Sequence, residues 1–140
     1  MDNKGEGLRL LALDGGGIRG LSELLILEEL MNRIKAEQKL QEVPKPCEYF
    51  DLIGGTSTGG LVAILLGRLC MSVEDAIGEY VKFAKKVFSE RKYMWQDGTF
   101  KASALEAAMK EVVARYGNDP SGDENARMMS DASKPKQCKT

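Results

Sequence analysis

Four glycines surround a single serine in the stretch "DLIGGTSTGG", residues 51–60. Glycine is destabilising in an ordinary strand or helix, because it loses the most backbone entropy on folding. Gly54, Gly55, Gly59 and Gly60 therefore indicate a turn that needs close backbone approach or unusual dihedral angles. The apolar run "YFDLIGG" predicts a strand before Ser57, and "LVAILLGRL" predicts a buried helix over Leu61 to Leu69.

A second glycine-rich turn, "DGGGIRG", joins the apolar strand pattern "LRLLALD" to a helical pattern over about Gly20 to Gln38. Spacings typical of a capping box predict a helix from Ser72 to about Phe88, and another from Ser103 to a C-cap at Gly117. The order strand, helix, strand, helix and two more helices predicts an α/β layered fold with a central, mostly parallel sheet.

Composition excludes several classes of protein. The chain has 140 residues, 43% hydrophobic and 29% charged, which is typical of one soluble globular domain. With 20 basic and 21 acidic residues it lacks the basic excess of a nucleic-acid groove. No apolar run is long enough to span a membrane, and "MDNKGEGL" lacks the apolar core of a signal peptide. We therefore expect a cytoplasmic protein that binds no nucleic acid.

The chain contains no histidine, which excludes HExxH zinc sites and the Ser-His-Asp triad. Cys47, Cys70 and Cys138 are odd in number, widely spaced and without a CxxC pair, which favours a reducing compartment. Cys47 and Cys70 are interpreted as small buried apolar residues rather than nucleophiles. We expect neither a metal ion nor a cofactor.

Gly55-Thr56-Ser57-Thr58-Gly59 fits G-x-S-x-G between a predicted strand and a predicted helix. In this context the pattern indicates a nucleophile elbow, a sharp turn that exposes the serine hydroxyl. A phosphate-binding loop is excluded, because Leu61 stands where that motif needs lysine. The alternative is that Ser57 simply caps the helix, since serine is a preferred N-cap residue.

The loop "DGGGIRG" satisfies G-x-G-x-x-G, but a dinucleotide site also needs an acidic residue at the end of the next strand, and Gly54-Gly55 stand there. An anion hole uses the same geometry, with backbone N–H groups of consecutive glycines converging on one point. A plain tight turn is the third possibility. Because parallel strands end at one edge of a sheet, Gly15 to Gly17 would lie near Ser57 and donate to an oxyanion.

"LALDGGGIRGL" followed by "YFDLIGGTSTGGLVA" closely resembles the start of the patatin-like phospholipases. The resemblance runs from about Leu8 to Leu69 and more weakly to Gly117. The helix "LSELLILEELMNRI" looks most like those of fungal multidomain members.

The resemblance implies a calcium-independent lipid acyl hydrolase that works through a Ser-Asp dyad and an acyl-enzyme. Its substrate would be a phospholipid or another acyl lipid, reached by transient contact with a membrane surface. Ser57 would match the nucleophile, and Arg19 would support the loop. The oxyanion-hole residues would be Gly15, Gly16 and Gly17, and the elbow residues Gly55, Thr56, Thr58 and Gly59.

The sequence departs from the family at the catalytic aspartate, which belongs to a later DGG or DGA motif that is absent after Ser57. Asp97-Gly98 is followed by Thr99, Asp14 belongs to the first glycine loop, and Asp51 is interpreted as structural. No residue of this sequence is therefore assigned as the base that would deprotonate Ser57.

This absence suggests that residues 8–117 are the N-terminal part of a patatin-like domain. Residues 118–140 would then be a polar, mobile segment whose last residues, "QCKT", approach a third strand. The missing aspartate also supports an alternative function, a catalytically inactive lipid-binding or regulatory module. A nucleotide-binding domain is the third hypothesis.

Overall fold

The computed structural model describes residues 7–89, 102–116 and 138–140. Two short strands, β1 (Leu10–Leu13) and β2 (Leu52–Gly55), pair in parallel, with Leu10 opposite Leu52 and Leu13 opposite Gly55. Both predicted strands are confirmed. Their parallel pairing brings the two glycine-rich turns to the same edge of the sheet, as predicted.

Five helices accompany this pair of strands within the described part of the chain. The predicted helix over Gly20 to Gln38 is confirmed with the same bounds, whereas the predicted helix over Leu61 to Leu69 begins earlier and changes to a π-helical turn. The helices are α1 (Gly20–Gln38), α2 (Pro46–Tyr49), α3 (Thr58–Ala63, continued by the π-helical turn Ile64–Arg68), α4 (Val73–Ser89) and α5 (Ala102–Tyr116).

The helix starts follow local side-chain chemistry. The Ser72 hydroxyl accepts a hydrogen bond from the Asp75 N–H at 3.0 Å, which confirms the predicted cap of α4. Helix α2 was not predicted. Pro46 stands at its first position, where proline is favoured, and the Lys45 N–H donates to the Glu48 carboxylate at 2.9 Å.

The predicted N-cap of α5, Ser103, is wrong. The helix already begins at Ala102, so Ser103 lies inside its first turn. Gly117, the predicted C-cap, lies outside the described residues.

One hydrophobic core lies on a single face of the sheet. Leu13 and Ile53 point into it from the strands, and Leu10 and Leu52 on the opposite face are 60% and 41% exposed. Parallel sheets are usually covered on both faces, but the described helices cover only this one. The structure is therefore a mixed α/β arrangement with a small parallel sheet. The helices contribute Leu24, Leu27, Met31, Ile34, Val62, Leu65, Leu66, Ala76 and Tyr80 to the core.

A third segment joins the sheet on the free side of β2. The Lys139 N–H donates to the Asp51 carbonyl at 3.0 Å, and the Ile53 N–H donates to the Lys139 carbonyl at 2.9 Å. This forms a parallel bridge between Leu52 and Lys139. The sequence predicts that "QCKT" leads towards a third strand, whereas Lys139 itself pairs with β2; residues 117–137 lie outside the described part.

Helix α4 packs directly on the turn between β1 and α1. Tyr80 is 1% exposed, and its hydroxyl donates a hydrogen bond to the Gly17 carbonyl. A Cβ atom at Gly20 would lie 2.8 Å from the Tyr80 Cζ, so the ring rests on the start of α1. The first glycine loop is thus tied to the core by a buried tyrosine.

We expect Tyr80→Phe to lower the free energy of unfolding by about 1–3 kcal/mol, because the Gly17 carbonyl loses its donor at a buried position. Tyr49→Phe is the matched control, since Tyr49 is half-buried and its ring keeps its contact with Arg9. That control should change stability by no more than about 0.5 kcal/mol. Urea denaturation of both variants measures the difference, and equal losses would contradict the role of Tyr80.

Candidate active site

Ser57 stands at the turn between β2 and α3 in an unusual backbone conformation. Its φ is 56° and its ψ is −125°, and its side chain is exposed. Residues other than glycine rarely adopt such angles, which cost on the order of 1–3 kcal/mol unless the surrounding structure holds them. A strained, exposed serine on a strand-to-helix turn is the geometry of a nucleophile elbow.

The Ser57 hydroxyl does not cap α3. The side chain makes no capping hydrogen bond, and the serine joins the helix through its carbonyl, which accepts from the Leu61 N–H at 3.3 Å. No described residue forms a hydrogen bond with the hydroxyl. The alternative interpretation of Ser57 as a simple N-cap is therefore wrong, and the oxygen is available for chemistry.

Two glycines of the elbow are required by close backbone approach. A Cβ atom at Gly55 would collide with the Gly59 backbone and lie 2.8 Å from the Gly60 nitrogen. A Cβ atom at Gly59 would collide with the Leu13 carbonyl and lie 2.8 Å from the Gly15 nitrogen. The elbow is thus pressed against both the end of β1 and the first glycine loop.

The first glycine loop directs two backbone donors at one oxygen beside Ser57. Gly15, Gly16 and Gly17 have φ angles of 81°, 122° and 63°. The N–H groups of Gly16 and Gly17 donate to the Thr58 hydroxyl oxygen at 3.1 Å and 3.2 Å. Converging N–H groups of this kind form a concavity suited to an anion. The structure therefore brings Thr58, Gly16 and Gly17 together.

The third predicted donor of the loop is engaged elsewhere. The Gly15 N–H donates to Oε1 of Glu23, in the first turn of α1, at 3.0 Å. The other carboxylate oxygen of Glu23 is buried and has no hydrogen-bond partner among the described residues. Sequence reasoning missed Glu23. The available signal was an acidic residue in the first turn after a glycine loop, where a carboxylate is favoured.

Charged residues near the two loops have different positions. Arg19 is exposed, and its Nε lies 3.7 Å from where a Cβ of Gly16 would be, so its side chain lies beside the loop. The Asp51 carboxylate accepts from the Arg9 N–H at 2.8 Å, at the end of β2 away from Ser57, which confirms its structural interpretation. Asp14 is exposed, and Asp97 lies outside the described residues.

The described residues contain no group of three or more His, Cys, Asp or Glu side chains that could hold a metal ion. None of their helices combines the length and apolar character needed to cross a membrane.

Comparison with known protein families matches residues 11–135 to the family described as "Patatin-like phospholipase". Phospholipase A I of Arabidopsis thaliana is 43% identical over 86 residues, covering 61% of this chain and 6% of that protein. Calcium-independent phospholipase A2-gamma of Rattus norvegicus is 32% identical over 117 residues, covering 79% of this chain and 14% of that protein. The cGAMP-activated phospholipase of Vibrio cholerae is 40% identical over 88 residues, covering 61% of this chain and 24% of that protein.

The chain thus spans less than a quarter of the length of each of these three relatives. No solved structure gave a significant match. The family match, in contrast, extends over most of the 140 residues and includes both glycine loops and Ser57. The chain belongs to the patatin-like phospholipase family.

Proposed function

We propose that Ser57 is the nucleophile of a lipid acyl hydrolase that cleaves phospholipids or related acyl esters. The observation that carries the proposal is the strained backbone of Ser57, at φ 56° and ψ −125°, with its hydroxyl exposed and unbonded among the described residues. Strain of this size persists where the surrounding structure fixes it, and it clusters at catalytic residues. The names of the relatives, all phospholipases, supply the substrate class.

The reaction proceeds in two steps. Ser57 Oγ attacks the ester carbonyl carbon, and the carbonyl oxygen becomes an oxyanion in a tetrahedral intermediate. The Gly16 and Gly17 N–H groups donate hydrogen bonds to that oxyanion, in place of the Thr58 hydroxyl oxygen to which they now donate at 3.1 Å and 3.2 Å. The oxyanion then collapses, the ester C–O bond breaks, and the alcohol leaves with the proton that the base took from Ser57. Water hydrolyses the remaining acyl-serine, which releases the fatty acid and restores Ser57.

A base must take the Ser57 proton, and its place is limited by the fold. The first glycine loop and β1 occupy one flank of the elbow. A cavity of about 500 Å³ lies at the C-terminal end of β2, beside the segment that pairs with this strand. Gly55, Gly60, Arg68 and Thr140 contribute to its lining. Because Gly55 and Gly60 flank Ser57 in the sequence, we expect the base to approach the elbow through this cavity.

One observation favours a second candidate function, a catalytically inactive module that binds lipid or regulates a partner. No described carboxylate forms a hydrogen bond with the Ser57 hydroxyl. A serine without a base reacts slowly, because its hydroxyl stays protonated at neutral pH. The two candidates therefore differ in the reactivity of Ser57 and not in the geometry of the loops.

Labelling with a fluorophosphonate probe tests both candidates, because only an activated serine is phosphonylated rapidly. For the acyl hydrolase we expect labelling of Ser57, unchanged by EDTA, and release of fatty acid from phosphatidylcholine vesicles. Ser57→Ala should abolish both signals. Ser72→Ala, which removes a capping serine, should keep them.

Circular dichroism establishes that each variant is folded. A folded chain that binds vesicles without labelling at Ser57 would contradict the acyl hydrolase and support the inactive module. Labelling that survives in Ser57→Ala would show that another residue reacts.

A second prediction concerns the backbone contact behind Ser57. Gly59→Ala should destabilise the fold by at least about 1–3 kcal/mol, because the added methyl group overlaps the Leu13 carbonyl. It should also reduce the rate of Ser57 labelling by at least about tenfold, since a shift near 1 Å already has a large kinetic effect.

Gly78→Ala is the matched control for this change. Gly78 lies exposed within α4, with no atom within 4 Å of an added Cβ. Alanine there should raise stability by about 0.5–1 kcal/mol and leave labelling unchanged. Thermal unfolding and labelling rates measure both variants, and equal behaviour would contradict the close-contact argument.

A further inference from the structure

Cys47 and Cys70 are far apart in the sequence but interact in the fold, and Cys138 is within electrostatic range of Cys70. Cys47 is in α2, Cys70 follows the π-helical turn, and Cys138 lies in the segment that pairs with β2. Cys47 and Cys70 are free thiols that are only partly buried, and Cys47 packs against the core, so their interpretation as buried apolar residues holds in part. Cys138 is a free thiol that is only 8% exposed. Because Cys47 and Cys70 are adjacent in the fold, they can form a pair of thiols, which their spacing in the sequence did not indicate.

The Cys47 and Cys70 thiols are adjacent, and each has the largest influence on the other's pKa. As a thiol, Cys70 also donates to the Gly67 carbonyl at 3.4 Å. Helix α2, which carries Cys47, contacts the π-helical turn Ile64–Arg68, and Cys70 lies two residues after that turn. Two adjacent thiols, both accessible to solvent, are the arrangement from which a disulfide forms.

The backbone around Cys70 is held in an uncommon conformation. Its φ is 48°, in the left-handed region that residues with a side chain seldom adopt. The flanking residues fix it, since the Leu69 N–H donates to the Ile64 carbonyl at 3.0 Å and the Met71 N–H to the Leu65 carbonyl at 3.1 Å. The Cys70 thiol is therefore positioned by the same helix that begins at the elbow.

The two thiols differ in acidity because they share one hydrogen bond. Donation from the Cys47 thiol stabilises the Cys70 thiolate and lowers the pKa of Cys70 to about 7, which Lys45 and Arg68 favour and Glu48 opposes. The same bond, with partial burial, raises the pKa of Cys47. Burial and the negative charge of Cys70 raise the pKa of Cys138. At neutral pH the pair thus combines a reactive thiolate with a neutral partner thiol.

We propose that Cys47 and Cys70 form a redox-active pair that hydrogen peroxide converts into an intramolecular disulfide. The Cys70 thiolate attacks one peroxide oxygen, the O–O bond breaks, and Cys70 sulfenic acid and hydroxide are produced. The Cys47 sulfur then attacks the sulfenic sulfur, the S–OH bond breaks, and the Cys47 proton leaves with hydroxide as water. Together the two sulfurs lose two electrons, and peroxide is reduced to one hydroxide ion and one molecule of water.

The disulfide would close a loop of chain that contains the candidate active site. Strand β2, Ser57 and α3 all lie between Cys47 and Cys70 in the sequence. The pair itself does not use the Ser57 hydroxyl. Its oxidation is therefore independent of whether Ser57 is catalytic, and the two proposals fail or succeed separately.

Peptide mass spectrometry of the full chain tests the proposal after treatment with hydrogen peroxide and alkylation with iodoacetamide. We expect a linked pair of peptides carrying Cys47 and Cys70, with two hydrogens fewer than the separate peptides. Alkylation should fall from three cysteines to one. The Cys138→Ser variant, which removes the neighbouring third thiol, should form the same link.

Two further measurements separate a reactive pair from accidental oxidation. In Cys47→Ser, dimedone should trap the Cys70 sulfenic acid, because the second thiol is missing. In the untreated chain, iodoacetamide at pH 7 should modify Cys70 at least about tenfold faster than Cys47, following the thiolate fraction. The rate at Cys70 should rise through about pH 7, because its lowered pKa exposes the thiolate there.

Three outcomes would overturn the proposal. They are a Cys70–Cys138 link in the native chain, disulfides only between separate chains, and equal alkylation rates at Cys47 and Cys70. Circular dichroism of the reduced and oxidised chain confirms that both are folded. The link in the unmodified chain needs no variant, so a Cys→Ser protein that does not fold leaves the test intact.

Discussion

Three backbone segments meet at the start of α3 with no space for a side chain between them. Gly59 lies against the Leu13 carbonyl and the Gly15 nitrogen, and Gly55 lies against the Gly59 backbone. Because these contacts join main chain to main chain, one methyl group is enough to separate the segments. The position of α3 relative to both strands, and with it the position of Ser57, depends on glycine at these two sites.

This close approach also explains how Ser57 keeps its strained backbone. The Thr56 N–H donates to the Leu13 carbonyl at 3.0 Å on one side of Ser57, and the Gly59 N–H donates to the Thr56 carbonyl at 2.9 Å across it. A residue with φ 56° relaxes unless its neighbours are fixed. Here the strand ladder fixes the residue before Ser57, and the buried Val62, Leu65 and Leu66 fix the helix after it.

Much of the fold and of the elbow was predictable from local sequence signals. The helical spacing of apolar residues predicted the bounds of α1, and G-x-S-x-G between a predicted strand and a predicted helix predicted the turn at Ser57. These features depend on residues close together in the chain. The engagement of Gly15 by Glu23 and the adjacency of Cys47 and Cys70 depend instead on tertiary packing. No periodicity or spacing encodes such contacts.

The π-helical turn Ile64–Arg68 was also not predictable, because it depends on tertiary packing. Its sequence reads as a continuous buried helix, but the Leu69 N–H bonds to the Ile64 carbonyl, five residues back, at 3.0 Å. A wider turn of this kind is rare and commonly accompanies functional sites. It also places Gly67 against Thr140 and Ile53, where a regular side chain would obstruct the third segment of the sheet. Packing against a distant part of the chain thus overrides the local preference for an α-helix.

The first glycine loop is held from three directions, each by a different element. Glu23 of α1 binds the Gly15 N–H, Thr58 of α3 binds the next two N–H groups, and Tyr80 of α4 binds the Gly17 carbonyl. Glycine loses more conformational freedom on folding than other residues, so a loop of three glycines needs such contacts to keep one shape. Donors that stabilise charge must already be oriented before reaction, because reorientation would cost energy at that moment. The orientation of the loop at the elbow therefore depends on the packing of α1 and α4 as much as on its own glycines.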